Sequence, residues 1–268
     1  MEYLLLIIGS LVFFAASSIY AFYVFQERIL FKPTQLSKTH EYKFPIGLTH
    51  EEWNLNTSDD GEINGIKFMV DNPKAQLFYF HGNSLDAQFW GEWVEILANR
   101  YQMEAIMMDY RGYGKSTGKR SMDTMLNDAS EVYKKFNNGN LKSIIHGRSL
   151  GGAFASHVAS AHEVEKLILE STFTKTTHIV LPHIIRLPDL PFFKYHFQSI
   201  DSIKKLNCEL EIIHGEKDAL IPAKHALLMF NAYKSKNKKM HIIAEGTHND
   251  MYLMPEYHEI LDQVFIID

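Results

Sequence analysis

Three side chains in this sequence have the types and spacing to move an acyl group between them: Ser149, Asp218 and His248. A serine hydroxyl is a poor nucleophile until a base removes its proton, and a histidine acting as that base needs an acid to fix its tautomer. Ser149 is the centre of Gly147-Arg148-Ser149-Leu150-Gly151, where the two glycines leave room for a sharp turn that lifts the hydroxyl clear of the backbone. Asp218 closes the run His214-Gly215-Glu216-Lys217-Asp218, and His248 lies in Glu245-Gly246-Thr247-His248-Asn249-Asp250. Of the 14 histidines, His248 alone sits in a strand-end loop beyond the acid. Upstream, His81-Gly82-Asn83-Ser84 follows an apolar run, and the backbone N–H groups of Asn83 and Leu150 are the expected oxyanion donors. Each such donor stabilises a tetrahedral intermediate by ~3 kcal/mol. Glu170, at the end of the strand after the nucleophile helix, is the rival acid; His81 and His214 read as structural residues of the loops that frame the site.

Groups this far apart in the chain can meet only if strand ends carry them to one place. Residues 76–80, 105–109, 141–145 and 166–169 read as strands, alternating with helices at 87–99, 122–136 and 150–161. That rhythm predicts a mostly parallel sheet with helices on both faces, and it puts the three side chains on one sheet edge. Two alternating runs within 53–70, separated by Ser58-Asp59-Asp60-Gly61, predict a leading hairpin. Residues 27–45 read as a linker with Pro33 and Pro45. The rhythm breaks between Ser171 and Glu209, where Pro182, Pro188, Pro191, Phe192, Phe193, Tyr195 and Phe197 predict a small cap over the site, at about 172–205.

The pieces His81-Gly82-Asn83, Asp109-Tyr110-Arg111-Gly112-Tyr113-Gly114-Lys115-Ser116, Gly147-Arg148-Ser149-Leu150-Gly151, His214-Gly215-Glu216-Lys217-Asp218 and His248-Asn249-Asp250 resemble the serine α/β-hydrolases, in particular the membrane-anchored alpha/beta-hydrolase-domain group. The order Ser, Asp, His is that of this fold and not of the chymotrypsin or subtilisin arrangements. The resemblance runs from about Gln76 to the C-terminus. It implies an α/β-hydrolase fold and acyl transfer to water, as in carboxylesterases, acyl-protein thioesterases and lysophospholipases, with no cofactor and no metal. Two departures stand out: the oxyanion loop continues Ser84-Leu85-Asp86 where relatives often carry small residues and a second Asn, and Arg148 is bulkier than usual at its place in the elbow.

Residues 3–25 contain no charged side chain and are rich in Leu, Ile, Val and Phe; as a helix they reach ~34 Å, enough to cross a bilayer. A cleaved signal peptide and a buried core helix are the alternatives. The acidic Met1-Glu2 start, and an apolar run that continues through Phe25 past Ala15-Ala16-Ser17-Ser18, disfavour the signal peptide. The expected organisation is therefore an anchor at 1–26 and one catalytic domain at 27–268. Arg28, Lys32 and Lys38 on one flank, against Glu2 on the other, point to a single span with the catalytic domain on the cytoplasmic side.

The composition excludes several classes. A net charge of -5 with no basic cluster beyond the lysines of 234–239 gives no footprint for nucleic acid. The single Cys208 excludes an internal disulfide and reads as a small buried hydrophobe. Gly114-Lys115-Ser116 lacks the glycine that a phosphate-binding loop needs, since Asp109 holds that place, and Gly112-Tyr113-Gly114 lacks the third glycine of a dinucleotide fingerprint. Asp109 to Ser116 instead reads as a wall beside the oxyanion loop. No histidines have metal-ligand spacing; His157 and His162, five apart, leave a common helical face. The expected activity is hydrolysis of acyl esters or thioesters, lipids or acylated proteins among them, through an acyl-serine intermediate. A serine peptidase of the same fold and a non-catalytic binding protein are the other readings.

Overall fold

The computed structural model describes residues 1–177 and 193–266. The chain opens with α1 (Glu2–Leu30), then the two-residue strand β1 (Lys32–Pro33) and the hairpin β2 (His50–Asn56) and β3 (Glu62–Phe68). There follow β4 (Ala75–Phe80), β5 (Ser84–Leu85), α2 (Ala87–Tyr101), β6 (Met103–Met108), α3 (Met122–Phe136), β7 (Lys142–Arg148), α4 (Gly151–Ala161) and β8 (Lys166–Glu170). The last third holds α5 (Ser199–Ile203), β9 (Glu209–Gly215), α6 (Lys224–Ala232), β10 (Lys238–Ile243) and α7 (Pro255–Val264).

Eight strands form one sheet in the order β10-β9-β8-β7-β4-β6-β3-β2. Only the β2/β3 and β3/β6 pairings are antiparallel; all others are parallel. The central strands are continuous apolar runs because both sheet faces are covered. Along β4, Phe78 and Phe80 join the core formed with α3, α4 and α6, while Leu77 and Tyr79 join the core formed with α2 and α7. This is the period-2 alternation of a strand, with both sides apolar.

The chain leaves β4 for β6 on one side and returns to β7 on the other, so the loops after β4 and β7 diverge from adjacent strands. A crevice opens at such a switch point, at the carboxyl ends of the strands. Asn83 follows β4, the third strand of the main sheet, and Ser149 follows β7.

At its start the chain differs from the linker expected after residue 26. Glu27-Arg28-Ile29-Leu30 contains no helix breaker and completes α1, and Phe31 leaves the helix in an extended conformation (φ -121°, ψ 126°). Lys32–Pro33 then pairs in parallel with Ser84–Leu85. α1 is long and apolar enough to cross a membrane, and none of its most apolar stretch is buried among the described residues. Gln26 and Phe31, at its end, are buried.

The expected cap falls in large part on residues 178–192, including the three prolines and Phe192, which lie outside the described residues. Beyond them Tyr195 packs edge-on against Phe31 at 4.8 Å between ring centroids, and Phe197 against Phe154 at 5.3 Å.

Candidate active site

The turn from β7 into α4 holds Ser149 in the left-handed region, at φ 54°. A non-glycine residue there stores strain that the surroundings must sustain. Here the Ser149 N–H donates to the Glu170 carbonyl (2.8 Å), and the Gly152 N–H donates to the Ser149 carbonyl (3.1 Å). The flanking glycines are required by space. A Cβ on Gly147 would sit 2.5 Å from Ala155 Cβ, and one on Gly151 would sit 1.9 Å from the Phe80 carbonyl oxygen. Strand β7 and helix α4 thus approach each other, and β4, more closely than any side chain allows.

The structure brings the three predicted side chains together. His248 Nε2 lies 3.1 Å from Ser149 Oγ, and His248 Nδ1 lies 2.7 Å from Asp218 Oδ2. Asp218 Oδ1 accepts the backbone N–H groups of Leu220 (2.9 Å) and Ile221 (2.7 Å). Burial opposes ionisation of Asp218, but the hydrogen bonds from His248 and the Ile221 amide outweigh it and hold its carboxyl below the ordinary range. An ionised carboxylate only accepts, so the His248 proton is on Nδ1 and the Nε2 lone pair faces the serine hydroxyl. The arrangement can take a proton from Ser149 and return it to a leaving group. His214 serves the same loop: its Nε2–H donates to the Ile221 carbonyl (2.7 Å), and burial lowers its proton affinity so that it stays neutral.

The two expected oxyanion donors are positioned by different means. Neither the Asn83 nor the Leu150 N–H has an acceptor among the backbone hydrogen bonds of the described residues. Leu150 caps the N-terminus of α4, where the helix dipole favours negative charge. Asn83 is fixed through its other atoms: its carbonyl accepts from the Lys32 N–H (2.8 Å) and the Tyr113 hydroxyl (2.7 Å), and its Nδ2 donates to the Leu30 carbonyl (3.1 Å). Tyr113 and Tyr110, whose hydroxyl donates to the His81 carbonyl (2.6 Å), make residues 109–116 the expected wall. His81 Nδ1 donates to the Gly82 carbonyl (2.7 Å) and keeps to a structural role. Of the unusual Ser84-Leu85-Asp86, the first two residues are the partner of β1, and Asp86 caps α2, its carboxylate accepting the Gln88 and Phe89 amides.

The Glu170 carboxylate makes no hydrogen bond to the His248 ring, whose Nδ1 is taken by Asp218. The Glu170 oxygens are shared by His146 Nε2 (3.2 Å), Arg148 Nε (3.1 Å) and the Tyr257 hydroxyl (2.8 Å). Burial works against its charge, yet the His146 hydrogen bond and the Arg148 cation hold its carboxyl down to about 2. That network accounts for Arg148. The guanidinium binds Glu170 at one end, donates through Nη2 to the His248 carbonyl (2.7 Å) and Asn249 Oδ1 (3.1 Å), and lies over the Trp90 ring at 5.0 Å. It therefore ties the histidine loop to the nucleophile elbow. Sequence reasoning assigned no role to Arg148, His146 or Tyr257, because their partners are distant in the chain and no spacing marks them.

Comparison with known proteins bears on the fold that carries this geometry. Residues 71–198 match the family described as serine aminopeptidase, S33. The chain is 25% identical to an uncharacterized membrane protein of Saccharomyces cerevisiae, over 97% of this chain and 95% of that one. It is 27% identical to human alpha/beta hydrolase domain-containing protein 17B, over 72% of this chain and 66% of that one. Among solved structures, the Pyrococcus furiosus esterase Pf2001 superposes with a TM-score of 0.67 at 16% identity, covering 88% of this chain and 97% of the esterase. This protein has the α/β-hydrolase fold.

Proposed function

We propose that this protein is a membrane-tethered serine hydrolase that cleaves carboxylic esters or thioesters through an acyl-serine intermediate. The observation that carries the reading is the continuous line from Asp218 Oδ2 through His248 to Ser149 Oγ, at 2.7 and 3.1 Å. Ser149 Oγ attacks the acyl carbon as His248 Nε2 takes its proton, and the Asn83 and Leu150 amides receive the oxyanion. His248 then protonates the departing alcohol or thiol. Water, deprotonated by the same nitrogen, releases the acid and regenerates the serine. The apolar helix α1 and the word "membrane" in the name of the yeast relative support the tether.

Labelling by a fluorophosphonate probe and hydrolysis of p-nitrophenyl acyl esters test the reading. Ser149→Ala should abolish labelling and lower ester turnover at least ~10³-fold; unchanged labelling and turnover would refute it. The family described as a serine aminopeptidase favours a second reading, amide cleavage, which matched ester and amide substrates distinguish by their relative kcat/KM.

A further inference from the structure

The end of α1 reaches the candidate active site itself. Its last carbonyl, at Leu30, accepts from Asn83 Nδ2 (3.1 Å), and two residues on, the Lys32 N–H donates to the Asn83 carbonyl (2.8 Å). Strand β1 continues this contact along the loop, pairing Lys32 with Ser84 and Pro33 with Leu85. Leu85 is held at φ 69°, a conformation that a leucine does not keep unless its neighbours impose it. Those neighbours are the β1 pairing on one side and the Asp86 cap of α2 on the other.

The helix end is seated firmly enough to act as the fixed side of this contact. Phe31 is buried beneath Tyr195 with the Arg120 guanidinium over its ring at 5.3 Å, and Arg120 also pairs with Glu27 (3.7 Å). The Gln26 side chain accepts the Lys194 N–H (2.7 Å), and the Lys194 ammonium lies over the Tyr23 ring at 4.3 Å.

From these contacts we infer that the membrane helix is a positioning element of the reaction: the Leu30 carbonyl and the Lys32 amide aim the Asn83 N–H at the oxyanion. The inference rests on the proposed role of Asn83. Of its two neighbours in this geometry, Lys32 contributes a backbone amide and an exposed side chain, so the amide can be deleted with little change to packing. Proline at 32 removes only that donor, and the extended conformation of Phe31 suits a following proline.

The test uses the full chain in detergent micelles with a short, soluble ester, so that delivery of substrate from a membrane plays no part. Lys32→Pro should lower kcat by roughly ten- to a hundredfold with KM within about threefold, since a misaimed oxyanion donor is felt in the transition state. Lys32→Ala, which keeps the amide, should retain far more activity than Lys32→Pro. Asn83→Ala removes the bond to Leu30 from the opposite side and should give the same loss of kcat; the double variant should lose less than the sum, because both act through one loop. Hydrogen exchange at residues 82–86 should quicken in each variant, a readout independent of any substrate. Wild-type exchange and kcat in folded Lys32→Pro or Asn83→Ala, or equal losses in Lys32→Pro and Lys32→Ala, would overturn the inference. Wild-type protein inert to esters and to fluorophosphonate would instead overturn the hydrolase reading, and the exchange measurement would still decide the positioning.

Discussion

At the scale of single residues, the meeting of Ser149, His248 and Asp218 was legible because a hydrolytic triad, the proposed role of these side chains, imposes residue types, chain order and strand-end loops together. The residues that hold them were not, because a buried charge network leaves no periodic trace. Arg148 and Glu170 are 22 positions apart and Arg148 and Asn249 are 101 apart, distances that only the fold cancels. The forked guanidinium predicts that Arg148→Gln lowers kcat/KM on a short ester by about tenfold or more, as the His248 loop loses two hydrogen bonds. Arg148→Lys should not restore it, since an ammonium cannot span both loops; steady-state kinetics of the two variants check this. Glu170 carries a pH signature of its own. Its carboxyl moves from 4.5 to about 2 on folding, so the ionised form contributes stability that is whole above about pH 5 and is lost as the pH falls toward 2. Thermal unfolding followed from pH 7 to 2.5 should show a fall in Tm through that acidic window. In Glu170→Gln, Tm should start lower at neutral pH and fall less.

Among the elements, the alternation of strands and helices read from the sequence recurs in the structure, with element ends displaced by no more than three residues. Helix α3 is the clearest instance: 122–136 was expected, and Ser121 with Thr124 forms a capping box at its start. The helices α6 and α7 were overlooked, although α7 carries signals that could have found it, a proline at its first position and buried Tyr257, Ile260, Leu261 and Val264 at helical spacing. The stretch 27–33 was misread for a different reason. Pro33 and Pro45 in a stretch of mixed composition suggested a linker, whereas tertiary partners decide: Arg120 takes Glu27, and Ser84–Leu85 takes Lys32–Pro33. Short strands of two residues lie below what periodicity can detect. The same partners explain why the oxyanion loop departs from the pattern of the α/β-hydrolases it resembles, since Ser84 and Leu85 serve as a strand and Asp86 as a helix cap.

For the whole molecule, the sheet order places everything the proposed chemistry needs at the carboxyl ends of β4, β7, β9 and β10, and the chain enters that same end directly from α1. Burial of an uninterrupted apolar helix in lipid predicts that the full chain stays with membranes through alkaline carbonate extraction. An arginine at position 11, in Leu11→Arg, costs a spanning helix ~3 kcal/mol at the bilayer centre and should release a measurable fraction. Phe31 is the only residue between the last turn of α1 and the paired strand β1. From Phe25, where the apolar run ends, to Leu30 is about 8 Å of helix. For the hydrolase proposed above, a tether with no slack is a ruler: it would set one height above the lipid at which a bond is cut, and a substrate would have to present its carbonyl there, however well its acyl chain fits.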